Sequence, residues 1–177
     1  MLVRFTQPEF AMIEVEARLR DKAVERVGLG IDLKRGKATR YERQLVGVAG
    51  EAAVWKAIGG NVSSVQSHGK LDGGIDVRVM GFDIQVKASV HMNPRWVYAS
   101  KKGRIRADVI VQTAAGMSLW SHRICGWRIV KEYLQLLEDA DIGGDTVKAM
   151  STSKLYPIAE FIELLGRLQT TPSTAIR

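Results

Sequence analysis

The chain has 177 residues, enough for one domain with a buried core, and its 46% apolar and 25% charged residues are the balance of a globular protein rather than a disordered one. The single Cys125 excludes an internal disulfide and a Cys-rich zinc site, and Met1-Leu-Val-Arg-Phe-Thr-Gln-Pro8 lacks the layout of a secretion signal, which together favour a cytoplasmic location. The net charge of +7 favours a polyanionic partner, nucleic acid first, and no apolar run is long enough to imply a membrane span.

Periodicity predicts a helix from about Glu9 to Val27, with Met12, Val15, Leu19 and Ala23 near helical spacing and Gly28-Leu-Gly30 ending it. A Gly- and Lys-rich connector follows through Lys37. Thr39, with Glu42 three residues on, reads as a capping box that opens a second helix, which runs to about Ile58 and stops at Gly59-Gly60. The small residues Gly47, Ala49, Gly50, Ala52 and Ala53 predict close packing of this helix on a sheet. The loop from Asn61 to Leu71 leaves room for a short strand at Val62–Val65. Pro94 rules out a long helix between Ala88 and Arg106, where Trp96-Val97-Tyr98 fits either strand or helix. Asp108 to Gln112 reads as a buried strand and Ser118 to Ile124 as another. Helices are expected over Trp127–Leu137 and Ile158–Leu168, with a frayed tail after Thr170. The sum is an α/β domain with a mixed sheet.

Two clusters are rich in basic residues, one interrupted only by Glu42 and the other by no acid. Lys34, Arg35, Lys37, Arg40 and Arg43 form one, and Lys101, Lys102, Arg104 and Arg106 the other. Both are candidate nucleic-acid contacts, against the plainer reading of solvated surface charge. Among the tryptophans, Trp55, Trp120 and Trp127 read as core, whereas Trp96 beside Arg95 is retained as a candidate base or ribose contact.

The richest stretch runs from Asp72 to Lys87. Val77 and Val79 alternate with Asp76, Arg78 and Met80; beyond Gly81, Ile84 and Val86 alternate with Asp83, Gln85 and Lys87. This is the period of two strands. A two-residue turn at Met80-Gly81 puts Val79 opposite Phe82 and Asp76 opposite Gln85, so that Asp76, Gln85 and Lys87 share a face. Asp76 is a hard anionic ligand for Mg²⁺ or Mn²⁺, and the Gln85 amide oxygen and the Val86 backbone carbonyl are neutral ones. Lys87 then lies where it contacts an attacking water or a phosphate. Glu51, on the preceding helix, is the candidate second carboxylate. As separate residues, Asp72 reads as a turn acid, Gln85 and Lys87 as a solvated strand face, and Glu51 as a surface helix residue; the strand alternation sets Asp76 apart from the turn, and the small apolar neighbours of Glu51 favour a sheet-facing position.

This arrangement resembles the PD-(D/E)XK nuclease superfamily over roughly Arg40 to Gln112. Asp76 stands at the family's first acid, Gln85-Val86-Lys87 at its (D/E)-x-K segment and Glu51 at its helical glutamate. Asp72-Gly-Gly-Ile-Asp76 followed by Gln-Val-Lys is similar to Mrr-like restriction endonucleases, and Gly47-Val-Ala-Gly50-Glu51 to archaeal Holliday-junction resolvases. The resemblance implies an α-β-β-β-α-β core, Mg²⁺ or Mn²⁺ as cofactor, and DNA, duplex or branched, as substrate. Residues 1–38 then form an N-terminal helical extension and basic connector, 39–170 the nuclease-like domain and 171–177 the tail. The first helix offers a surface for a homodimer. Two features depart from the family pattern: no proline precedes Asp76, and position 85 is a neutral Gln. The expectation is a metal-dependent DNA endonuclease. The alternatives are a nuclease fold that has lost catalysis and serves as a DNA-binding or assembly subunit, and an RNA-processing nuclease.

Overall fold

Helix α2, Arg40–Ala57, starts where its capping residues predict. The Glu42 N–H donates to the Thr39 hydroxyl at 3.1 Å and the Thr39 N–H to the Glu42 carboxylate at 2.6 Å, which satisfies two donors at the helix start. The structure is a computed structural model and describes residues 1–26, 38–65, 75–99, 105–118, 120–142 and 145–170. In it, α2 lies between helix α1 (Gln7–Arg26) and a five-stranded sheet.

That sheet has the order β1-β6-β5-β3-β2, built from β1 (Leu2–Arg4), β2 (Val77–Val79), β3 (Phe82–Ser89), β5 (Val109–Ala115) and β6 (Ser121–Ile129). β3 and β5 run parallel; the other neighbours are antiparallel. A second sheet has the order β4-β8-β7, from β4 (Trp96–Tyr98), β7 (Glu138–Ile142) and β8 (Asp145–Ser151). The short helix α3 (Val130–Gln135) precedes β7, and α4 (Ile158–Thr170) follows β8.

Each face of the large sheet carries a core. On one, Ile84, Val109, Val111 and Ile124 pack with Val48, Ala53 and Val54 of α2, Ile13 and Ala17 of α1, and Phe161 of α4. On the other, Ile110 packs with Val97, Met150, Val130 and Tyr133, so the small sheet and α3 cover that side. Val3, Phe5 and Phe10 belong to the first core and β1 pairs with β6, so the N-terminal residues are built into the same body as the rest.

The expected mixed α/β architecture is present, but the expected order of elements is not. Where the α-β-β-β-α-β core calls for a helix between its third and fourth strands, the described part of the connection from β3 to β5 holds strand β4, whose Trp96, Val97 and Tyr98 pair with Ser151, Met150 and Ala149. Val97 is fully buried there, so tertiary burial decided between strand and helix. Val62–Ser64 forms a 3₁₀ turn capped by Asn61 rather than a strand. β6 continues to Ile129, which shortens the helix expected over Trp127–Leu137 to α3. β1, β7 and β8 were not expected. Among the described residues, no helix is long and apolar enough to cross a membrane.

The tightest contact between α2 and the sheet is at Gly50. A Cβ there would stand 2.5 Å from Thr113 Oγ1, 3.0 Å from Ala88 Cβ and 3.4 Å from His122 Nε2. Gly47, one turn earlier, has nothing within 4 Å of such a Cβ. Gly50→Ala should therefore lower unfolding free energy by about 1–3 kcal/mol, and Gly47→Ala should raise it by about 0.5–1 kcal/mol. Urea titration of both variants checks this pair of opposite signs.

His122 is 2% exposed, and its ring nitrogen lies 3.2 Å from Thr113 Oγ1. Burial pushes its pKa down from 6.5 to about 4. Between those values the unfolded chain binds the proton and the folded chain does not. Stability is thus fully present above pH 6.5 and falls on acidification, by about 2 kcal/mol at pH 5. Denaturant titrations at pH 7 and pH 5 should show this loss, and His122→Gln should flatten it.

Candidate functional site

The hairpin forms with the predicted turn. Met80 and Gly81 have φ of 47° and 83°, the left-handed pair that a two-residue hairpin loop requires. Val79 then faces Phe82, Arg78 faces Asp83 and Val77 faces Ile84, with Arg78 and Asp83 joined by an ion pair at 2.5 Å. Beyond Val77 the regular pairing stops. The Asp76 N–H donates at 2.9 Å to the carbonyl of Ile84, the residue already opposite Val77, so Asp76 does not simply continue the ladder to stand against Gln85. Its carboxylate instead accepts the Val86 N–H at 2.7 Å. The N–H and C=O of a strand residue point the same way, so the Val86 carbonyl is also directed to the side where β2 ends.

Gln85 and Lys87 lie on the face away from α2, since Ala88 is the residue under Gly50 and alternate positions face opposite sides. Gln85 pairs with Ile110 and Lys87 with Gln112 across the parallel ladder. The Gln85 Oε1 is buried and has no hydrogen-bond partner among the described residues. Burial holds the Lys87 ammonium below the usual lysine range, and the nearby Asp76 carboxylate partly offsets this. Gln112 is a neighbour that sequence reasoning missed. It is 3% exposed, and its amide nitrogen donates to the Thr113 carbonyl at 2.7 Å. The available signal was an amide inside the otherwise apolar run Val109-Ile-Val-Gln112.

Glu51 is buried, as its small neighbours suggested, but in the company of another helix. Arg20 of α1 donates to both Glu51 oxygens at 2.6 Å and to Glu16 at 3.0 Å. Burial lowers the pKa of Arg20, but the bonds to Glu51 and Glu16 outweigh it and the net shift is upward. Gly50 faces the sheet and Ala49 borders a small cavity beside His122 on β6, so Glu51, at 100° per residue, turns to the β3 flank. The structure thus joins Asp76, the Val86 peptide and Lys87, sets the Gln85 oxygen on the same strand, and engages Glu51 with Arg20. Among the described residues no group of three or more His, Cys, Asp or Glu side chains is placed to hold a metal.

The basic clusters fare differently. Arg40 is held by Asp21 at 2.5 Å and lies 3.6 Å from Glu25, because antiparallel packing of α1 on α2 supplies acids that are distant in sequence. Arg40 is therefore not a free phosphate contact. Arg43 is half-buried and Arg106 is exposed. Lys34, Arg35, Lys37, Lys101, Lys102 and Arg104 lie outside the described residues. Trp120, expected in the core, is 42% exposed.

Comparison of the chain with protein-family models, curated proteins and solved structures finds no match. Glu51→Gln removes the charge that Arg20 is bonded to and should lower unfolding free energy by about 1–3 kcal/mol. Urea titration measures it; a loss below about 0.5 kcal/mol would mean that the pair is a surface contact.

Proposed function

We propose that the chain is a metal-dependent nuclease acting on DNA. The observation that carries this reading is the buried Gln85 Oε1, unpartnered among the described residues, on a strand where the next peptide is held by Asp76 and the next side chain on the same face is a lysine of lowered pKa. A buried acceptor without a donor costs about 1–3 kcal/mol, and a cation would relieve it. Asp76, the Gln85 amide and the Val86 carbonyl are all oxygen donors, the kind that Mg²⁺ and Mn²⁺ take. They fit the ion in chemistry, though with only one negative charge among the three. When bound, the divalent cation supplies Lewis acidity toward a phosphate oxygen.

The chain's own residues would do the rest. Asp76, already fixed by the Val86 N–H, offers its carboxylate without the entropy loss of ordering a mobile side chain. Lys87 orients a water, and its lowered pKa brings it nearer the range in which it takes that water's proton as the oxygen bonds to phosphorus. In its charged form the same ammonium offsets the charge that develops on the phosphate. Glu51 stands on α2, which covers the other face of the sheet from Gln85 and Lys87, and both of its oxygens are bonded to Arg20, so as a further carboxylate it would have to leave Arg20 and reach the site around the sheet edge.

That last point favours a second reading, a nuclease fold that binds DNA without cutting it. A neutral Gln85 and a Glu51 already neutralised by Arg20 leave Asp76 as the site's main anionic donor. The panel that separates the two consists of duplex, flap, four-way-junction and single-stranded DNAs, with matching RNAs, incubated with Mn²⁺. Under the nuclease reading at least one substrate is cut, and Asp76→Ala and Lys87→Ala each slow cutting by about a hundredfold or more while the far-ultraviolet spectrum is unchanged. Wild-type cleavage by a folded Asp76→Ala protein would sink the assignment. Salt-sensitive binding without cleavage of any substrate favours the second reading. Gln85→Glu should tighten Mn²⁺ binding in calorimetry, and an unchanged affinity removes Gln85 from the ligand set.

A further inference from the structure

The edge of the large sheet farthest from the hairpin carries a groove that the nuclease reading does not use. It has a volume of about 640 Å³, within the range of ligand sites. Leu2 pairs with Arg123 and Arg4 with Ser121, so Leu2, Arg4 and Arg123 share one face. His122 and Val3 point the other way, under α2 and into the core. Arg4 and Arg123 are therefore on the same side of the sheet as Gln85 and Lys87. β1 is three strands from β3, roughly 14 Å across the sheet.

The chemistry of this groove is specific. Arg4 and Arg123 are the charged side chains that line it; no acid does, and neither arginine pairs with a carboxylate among the described residues. Arg123 donates to the Met92 carbonyl, which fixes it beside the groove. Trp120 also lines the groove. Its ring stacks on Phe10 at 5.3 Å between centroids and 21° between planes, and it is 42% exposed. An indole backed by a second ring is a rigid platform with surface left to cover, and unpaired guanidinia beside it match phosphates.

We propose that this groove binds single-stranded nucleic acid, with a base on Trp120 and the adjoining phosphates on Arg4 and Arg123. An unstacked base is needed to meet the indole, which selects a single strand over a duplex. The absence of acids in the lining selects a polyanion over an apolar or basic peptide. The inference shares the nucleic-acid part of the reading above and is independent of its hydrolytic part.

The test is titration of the full chain with fluorescein-labelled oligo-dT in EDTA, where cleavage cannot interfere, over a series of salt concentrations. Trp120→Leu should weaken binding about tenfold, the worth of one stacked base. Arg4→Gln, at an exposed strand position, should lower the slope of log affinity against log salt by about 0.7, and Arg4→Gln with Arg123→Gln by about 1.4. Thermal melts establish that the variants are folded. An unchanged slope in the double variant, no binding by the wild type at low salt, or equal affinity for an acidic peptide of the same charge would each overturn the proposal. Binding with these losses, in a protein that cuts nothing in Mn²⁺, upholds the groove and rejects the nuclease.

Discussion

The contact on which the rest of the structure depends is the approach of α2 to the sheet at Gly50. A helix carrying a side chain at that point would stand off from Thr113, Ala88 and His122. Because it does not, α2 reaches the sheet closely enough for Val54, Ala53 and Val48 to share a core with Ile84, Val109 and Val111. The same approach buries His122 between helix and strand as a neutral ring. It also fixes the rotation of α2, and with it the flank to which Glu51 is turned. The position of a charged group on the flank of the helix is thus set by the absence of a methyl group on the face toward the sheet.

Local signals in the sequence carried the elements they were able to carry. The Thr39–Glu42 cap, the Met80-Gly81 turn and the strand alternation on either side of it involve residues a few positions apart, and all three stand in the structure. What failed depends on distant partners. β1 is three residues long and exists because β6 offers an edge. β7, Glu138-Asp-Ala-Asp-Ile142, has the composition of a solvated loop and becomes a strand by pairing with β8. The strand at Trp96-Val97-Tyr98 is of the same kind, ambiguous alone and decided by Met150 across the ladder.

The candidate site divides along the same line. Gln85, Val86 and Lys87 lie on one strand, so their spacing follows from its period, whereas Asp76 leaves the ladder just before β2 and reaches the Val86 N–H through its side chain. Glu51 could be placed on a helix and judged buried, but its partner Arg20 belongs to another helix, and nothing in the spacing of residues 20 and 51 announces a pair. Arg40 teaches the same lesson in reverse, since its acidic partners Asp21 and Glu25 come from α1 in space and not from its own cluster in sequence. Charge patterns along a chain describe surfaces only where no other element packs against them. Trp120 was assigned to the core by residue type alone, and its exposure follows from its place at a turn before β6.

The bond from the Val86 N–H to the Asp76 carboxylate has a consequence apart from any chemistry at phosphorus. β2 covers only the first residues of β3, and past it the outer edge of β3 has no strand partner among the described residues. An exposed edge amide is an invitation for another chain to add a strand. Here a side chain occupies that amide, carries charge, and interrupts the row of donors that an incoming strand would need. Asp76 thereby removes one donor from the row with which an added strand would pair on that edge.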